Sequence, residues 1–410
     1  MPPHQPLDSR ATVVIIGCGP AGASCAIKLK KIASSQSLKP RFIVYEGKPL
    51  ERKSHYNQCL GVLSPPLQRI MEGDLEIPFP WPIIQRKIEG YVLHTGQSVL
   101  TLSGEHAPSY ACRRVEFDHY LYEKVRESGL EVIPARVTEL DFLDDGVMVY
   151  SESNNIKADV VIGAFGLDEG MARIFERATP YRQPRFLSSV VTKIHPGEEA
   201  MARFGNYLHA FLPSSLPRVE FGAITPKGNH LSVNIAGRRV DAETMDAFLR
   251  LPEVQGVLSP LPGGSGQGLT YHKGKFPTLP ARSPAGSRYL MIGDAAGFNR
   301  PFKGKGINSA VITGIEAAQA LFSKGIGREA SRDYLAACAE LTADIPYGRA
   351  LRALTLAFSR LGLLSGVLEA AGNEPALRKA MFNIVSGQET YRRTWQETRS
   401  FGLIVRTFLA

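Results

Sequence analysis

A chain of 410 residues with 44% apolar and 21% charged residues is globular in composition and long enough for one large or two to three ordinary domains. Its formal net charge of +9 favours phosphate-bearing ligands or anionic lipid, and no recognised nucleic-acid module accompanies it. Cys18, Cys25, Cys59, Cys112 and Cys338 are odd in number and scattered, which argues against a disulfide framework or a metal site and makes a reducing cytoplasm the expected compartment.

Residues 1–10 are polar and Pro-rich and predict a disordered tail. The apolar run from Ala11 to Ile16 is too short for a signal peptide and heads a nucleotide motif. Thr12 to Ile16 predicts a buried strand, Pro20 to Ala33 a helix, and Arg41 to Glu46 a second strand. Ile77 to Pro82 is too rich in proline for a helix or a central strand. Alternation from about 83 to 111 predicts strands, and Glu116 to Ser128 predicts a helix with Phe117, Leu121 and Val125 on one face. From 180 to 245 the pattern is mostly that of strands, and Gly263 to Gly268 marks a loop. Arg288 to Ile292 predicts another buried strand and Ile307 to Phe322 another helix, after which the chain is mainly helical. No stretch is long and apolar enough to span a membrane.

Gly17-Cys18-Gly19-Pro20-Ala21-Gly22 follows the first strand and opens the first helix. In such a turn the first glycine permits the bend, the second lets backbone approach a pyrophosphate, and the third lets helix and strand pack closely. The helix start then offers N–H groups and partial positive charge to phosphates. Glu46 ends the second strand, where an acid accepts hydrogen bonds from ribose hydroxyls. This motif leaves FAD and NAD both open.

The second motif separates them. Gly293-Asp294-Ala295-Ala296-Gly297 follows a buried strand and precedes Pro301, Gly304, Gly306 and Ile307 at the head of a helix. A carboxylate there can bind the ribityl hydroxyls of FAD, and the helix start can stabilise negative charge on the reduced flavin ring. Together with Arg114-x-x-Phe117-Asp118-x-x-Leu121, the two motifs resemble FAD-dependent oxidoreductases of the p-hydroxybenzoate-hydroxylase structural type. The resemblance implies an α/β fold. A Rossmann-like FAD-binding domain would comprise residues 11–75, 105–180 and 280–330. A mostly antiparallel β substrate domain would comprise 76–104 and 181–279, with a helical region over 331–410. It places Gly17, Gly19, Pro20, Ala21, Gly22 and Glu46 at the adenosine-diphosphate end of FAD. Gly293 and Asp294 fall at the ribityl chain, Gly304, Gly306 and Ile307 at the flavin ring, and Arg114 close to FAD.

Within that type the chain looks most like the geranylgeranyl reductases, which saturate isoprenoid double bonds. Cys59-Leu60-Gly61 matches their Cys-x-Gly segment facing the flavin, His272 to Pro277 their K-x-x-x-I-P segment, and Ser386-Gly387-x-x-x-Tyr391 their late Ser-Gly…Tyr element. Cys59 is the candidate catalytic residue, as proton donor or as a group shaping the flavin face. Phe165 stands where the type usually carries an acid, so the electron donor is either NADPH or ferredoxin. Lys303 and Lys305 flank Gly304 and bring positive charge to the same loop. From Tyr347 onward nine basic residues face four acidic ones. Leu351, Leu354, Phe358, Leu361 and Leu368 recur at helical spacing among Arg349, Arg352 and Arg360. This reads either as a helix packed on the core or as a basic amphipathic surface for peripheral membrane contact. The expected activity is reduction of an isoprenoid or other lipid-like substrate. The alternatives are an aromatic or lipid monooxygenase and an electron-transfer flavoprotein acting on a partner or quinone.

Overall fold

The computed structural model describes residues 7–50, 59–96, 98–103, 107–261, 268–300 and 306–397. Residues 1–6 of the expected tail, Gly263 to Gly266, Lys303, Gly304 and Lys305 lie outside the described residues.

Thr12–Ile16 forms the centre of a six-stranded sheet in the order Ala285–Gly286, Tyr289–Met291, Val160–Gly163, Thr12–Ile16, Arg41–Tyr45, Glu131–Ile133. All pairings are parallel except that of the short Ala285–Gly286 edge. A strand covered on both faces reads as an unbroken apolar run, and Val13, Val14 and Ile15 are fully buried. Helices Pro20–Ser35 and Gly306–Lys324 pack together beside this sheet. They are far apart in sequence, because the chain leaves the sheet after Gly163 and returns to it at Ala285.

The intervening residues, with the earlier strands Gly90–His94 and Val99–Ser103, build a seven-stranded sheet, ordered His272–Pro277, Phe186–Ile194, Leu231–Gly237, Val219–Pro226, Tyr207–Phe211, Gly90–His94, Val99–Ser103. It is antiparallel except where Tyr207–Phe211 runs parallel to Gly90–His94. The Gly90–Ser103 hairpin thus joins the sheet through Tyr207–Phe211, a strand much later in the sequence. Helices Ala242–Leu249 and Pro252–Leu258 contribute Met245, Phe248 and Val254 to a core with Phe211, Ile224 and Val233 of the sheet. Elsewhere the sheet packs on the C-terminal helices, where Leu368, Leu377 and Phe382 meet Tyr91, Leu93 and Leu208.

The helical tail comprises Ala339–Arg360, Leu364–Asn373, Pro375–Ser386 and Tyr391–Glu397. One expectation is corrected at the other end of the chain. Of the tail predicted to be disordered, residues 7–10 are packed: Leu7 is buried in the main core, and Ser9 Oγ accepts the Lys39 N–H at 3.0 Å. A single apolar side chain next to the first strand is enough to pin this segment.

Candidate active site

The glycines of the first turn are set by packing on one side and by open space on the other. Gly17 has φ +105°, and a Cβ there would meet the Ala164 carbonyl oxygen at 2.5 Å. A Cβ on Gly22 would meet the Gly17 carbonyl oxygen at 1.9 Å. Both positions therefore require glycine for the turn to close against the neighbouring strand. Gly19 differs, because a Cβ there would have no atom within 4 Å. It faces a large cavity, as do Gly17, Pro20 and Ala21, whereas Gly22 packs inside the turn.

Gly19 caps the helix Pro20–Ser35 without a side-chain hydrogen bond, so the first amides of that helix are left for a ligand. Glu46 lies beside them and has a second role not read from the sequence. Its carboxylate accepts the Cys18 N–H at 2.8 Å and the Lys48 N–H at 2.7 Å, bracing the glycine turn. Burial raises its pKa, partly offset by these two hydrogen bonds.

The second motif packs against the first, where a Cβ on Gly293 would meet the Ala21 Cβ at 2.8 Å. Gly293–Ala295 forms a single 3₁₀ turn, held by Thr313 Oγ1 accepting the Gly293 N–H at 2.9 Å. Asp294, Gly306 and Ile307 line the cavity with Gly293. Asp294 is reached only from the cavity and is otherwise enclosed by protein. Burial raises its pKa, and the nearby Arg114 guanidinium opposes that shift. Its carboxylate accepts no hydrogen bond among the described residues. It stands as a ready acceptor for ligand hydroxyls, so the residues present fit the ribityl chain of a flavin dinucleotide.

Arg114 begins the helix Arg114–Glu127, two residues earlier than expected. Its Nε donates to Asp118 Oδ1 at 2.6 Å, and the guanidinium also reaches the Cys59 sulfur. The Gly61 N–H donates to Cys59 Sγ at 3.5 Å. All five cysteines are free thiols; four are buried, and Cys59 is exposed to the cavity. The structure thus brings Cys59, Arg114 and Asp294 to one place.

From this point the cavity continues, about 1290 Å³ in all, between the seven-stranded sheet and the C-terminal helices. Val191, Leu208 and Ala210 of the sheet face it, as do Leu351, Leu354 and Phe358 of the helix Ala339–Arg360. The periodic apolar face in the tail is therefore turned inward over the cavity, while Leu361 at the helix end is 69% exposed and Leu368 is buried against the sheet. Arg352 points inward too. It forms a two-pronged ion pair with Glu220, with Nε donating at 2.5 Å and Nη2 at 2.6 Å. Glu220 was missed at the sequence level, although a lone acid in the apolar strand Val219–Pro226 was a visible signal.

The late Ser-Gly…Tyr element meets the second motif through Arg300. Its guanidinium donates to the carbonyls of Gly387 and, at 2.6 Å, Glu389, lies 5.0 Å from the Tyr391 ring centre, and pairs with Asp344 at 3.5 Å. The His272–Pro277 segment is an edge strand whose Lys273, Gly274, Lys275 and Phe276 face the cavity. Lys275 is neutralised by Glu169. Phe165 stacks on Phe175 at 5.4 Å and meets Tyr181 edge-on at 6.3 Å. An aromatic cluster thus fills the position where an acid was expected.

No family model matches the chain. It is 24% identical over 330 residues to the chloroplastic geranylgeranyl diphosphate reductase of Nicotiana tabacum, covering 75% of this chain and 65% of that protein, just under two thirds of its length. It is 25% identical over 340 residues to the digeranylgeranylglycerophospholipid reductase of Methanothrix thermoacetophila, covering 76% of this chain and 77% of that one. In structure it is similar to a geranylgeranyl bacteriochlorophyll reductase-like protein of Thermoplasma acidophilum, with TM-score 0.70 and 18% identity over 95% of this chain and 99% of that one. A flavin-dependent brominase gives TM-score 0.64 and 17% identity, with 95% and 98% covered. The fold is that of the flavin-dependent oxidoreductases, and the likeness in sequence is to the geranylgeranyl reductases.

Proposed function

We propose that this chain is an FAD-dependent reductase that saturates carbon–carbon double bonds of an isoprenoid chain of geranylgeranyl type. One observation carries the reading: the dinucleotide turn and a long apolar space share a single cavity of about 1290 Å³. That exceeds the roughly 300–1,000 Å³ of ordinary ligand pockets, as a site for both a dinucleotide and a lipid chain must. The names of the curated relatives point to the same substrate class.

Gly17, Gly19 and the first turn of the helix Pro20–Ser35 would hold the pyrophosphate, Glu46 the ribose, Asp294 the ribityl chain, and Gly306 and Ile307 the ring. Bound and reduced, FAD supplies a hydride. An isolated double bond has no electron-withdrawing group, so a positioned acid must deliver a proton to the other carbon. In this reading Cys59, exposed to the cavity, is that acid. Arg114 beside it stabilises the negative charge that develops on sulfur as the proton leaves. The apolar walls exclude water and align the chain.

We assign the electron supply to a donor other than NADPH, such as ferredoxin, because Phe165 and its aromatic neighbours replace a polar contact. Stopped-flow reduction by NADPH at catalytic rates would refute that assignment. Peripheral membrane contact is placed at the turn between Ala339–Arg360 and Leu364–Asn373. There Leu361 and Leu363 are exposed beside Arg360, apolar side chains flanked by positive charge. No single helix among the described residues is long and apolar enough to cross a membrane.

The test is incubation of the flavin-loaded protein with geranylgeranyl diphosphate and dithionite without oxygen, followed by mass spectrometry. Products heavier in steps of two hydrogens are expected. Turnover that requires oxygen would instead identify a monooxygenase, and an unchanged isoprenoid would leave electron transfer as the function.

A further inference from the structure

Strand Phe186–Ile194 pairs antiparallel with Leu231–Gly237, with Lys193 opposite Ser232 and Ile194 opposite Leu231. Continuing that register by one step sets His195 opposite His230, and their ring centres are 5.3 Å apart. Lys193 and His195 are two apart on an extended segment and so share a face. The hairpin that ends at His230 begins at Lys227, whose N–H donates to the His230 carbonyl at 2.9 Å. Lys227 is 3% exposed, and Arg113 reaches the same place from the loop before Arg114–Glu127.

This cluster is electrostatically lopsided. Lys193, Lys227 and Arg113 repel one another and surround the two histidines. Among the described residues the one acid that pairs with it is Glu116, 3.7 Å from Arg113. Polar capacity is also left over. Among the described residues the buried Lys227 Nζ has one acceptor, the Cys112 carbonyl at 3.0 Å, for its three donor hydrogens. His230 is 4% exposed, with Nδ1 on Asn229 Oδ1 at 3.1 Å and a buried Nε2 that has no hydrogen-bond partner. Buried polar groups are nearly always satisfied, and buried like charges are costly. An anionic ligand rich in acceptor oxygens meets the Lys227 deficit, and because His230 Nδ1–H donates to Asn229 Oδ1, the acceptor Nε2 is met by a protonated phosphate hydroxyl.

We propose that Arg113, Lys193, His195, Lys227 and His230 form a phosphate-binding site beside the Cys59–Gly61 segment: Lys227 Nζ holds the Cys112 carbonyl against which Gly61 packs, and Cys59 lines the cavity. The choice of ligand rests on the reductase reading, because an isoprenoid diphosphate or phospholipid head held here would direct its chain past Cys59 into the apolar space. A nucleotide donor carries the same chemistry, and the test separates the two. Burial holds Lys227 down to about 8, which leaves it mostly protonated at pH 7.

The experiment is calorimetric titration of the flavin-loaded protein with inorganic pyrophosphate at pH 7 and low salt. Saturable binding is expected. It should weaken about tenfold or more in the Lys193→Gln/His195→Ala double variant, whose side chains are not buried, because each lost contact is a charge-assisted hydrogen bond. Lys227→Met should weaken it as well, with flavin retention confirming that this buried variant folds. Absence of saturable binding, or equal binding by the wild type and the double variant, overturns the proposal. Displacement of pyrophosphate by geranylgeranyl diphosphate and not by geranylgeraniol identifies a substrate head group; displacement by NADPH more strongly than by NADH identifies a donor phosphate. Pyrophosphate binding without isoprenoid reduction keeps the site and removes the reductase reading, and reduction without pyrophosphate binding does the reverse.

Discussion

The two ends of the cavity are built on different principles. At the dinucleotide end, two short turns, each at a strand end, do most of the work, and in the first of them Gly17 and Gly22 are demanded by backbone contacts of 1.9–2.5 Å. At the substrate end, strands from residues 90 to 277 and helices beyond 339 each give a few ordinary apolar side chains. The first end tolerates almost no change in shape. The second is defined by volume and by one ion pair, and side-chain size there sets what fits.

The sharpest test of this contrast lies within the first turn itself. Gly22→Ala should abolish folding or flavin retention, since its Cβ would fall 1.9 Å from the Gly17 carbonyl oxygen. Gly19→Ala should leave the melting temperature of the flavin-free protein unchanged, because φ is −67° and the space is open. It should still lower FAD affinity by about two orders of magnitude, as the methyl group occupies the pyrophosphate path. Equal loss of stability in both variants would break the distinction between a packing glycine and a ligand glycine.

At the substrate end the expected effect is on turnover alone. Leu354→Trp puts a larger ring into the apolar space and should reduce kcat/KM for geranylgeranyl diphosphate by roughly 10- to 100-fold, about 1.4–2.7 kcal/mol. The flavin spectrum and melting temperature should hold. A variant that also lost flavin would show that the two ends are one mechanical unit.

Asp294 tests how far the dinucleotide end sacrifices stability for binding. Its folded pKa is raised above the ordinary 3.8 by burial. Proton-linked stability from this group is therefore fully present below 3.8 and is lost as pH rises through the raised value. Above that raised value the enclosed carboxylate is ionised without a hydrogen-bond partner among the described residues, so there Asp294→Asn should make the flavin-free protein at least as stable as the wild type. The advantage should shrink as pH falls. FAD affinity should drop about tenfold or more, from loss of hydrogen bonds to a charged acceptor. Thermal melts across pH with and without FAD measure both.

These contrasts also explain what was legible in the sequence. Gly17, Gly19, Gly22, Glu46 and Asp294 could be found because turn geometry and ligand chemistry restrict the residue type at fixed spacing, and the structure collects all but Gly22, which packs inside the turn, around one cavity. The inserted sheet was legible in period but not in order, since nothing local tells Gly90–His94 to lie beside Tyr207–Phe211. The inward aim of Leu351, Leu354 and Phe358 was equally hidden. A 3.6-residue period shows that a helix has an apolar face and does not say whether protein, ligand or lipid covers it. Arg352 counted toward a basic surface until Glu220 appeared opposite it.

That pair carries the smallest predicted effect and the finest test of the second end. Glu220 is 7% and Arg352 19% exposed at the side chain, so the pair is only partly screened by solvent. Removing one partner of a fully buried pair costs about 3–5 kcal/mol, and partial exposure should reduce that to roughly 1–2 kcal/mol. Glu220→Gln should therefore lower the melting temperature by a few degrees and loosen the helix Ala339–Arg360, the lid over the cavity. The consequence for the reaction is specific: KM for the isoprenoid should rise while the rate of flavin reduction by dithionite stays constant, because the pair touches the lid and not the dinucleotide turn. Glu220→Leu with Arg352→Leu should restore stability, since a matched apolar pair of similar volume leaves no unpaired charge. If the double variant also regains the wild-type KM, the ion pair is a clasp holding the lid in place; if KM stays high with stability restored, the charges themselves position the substrate.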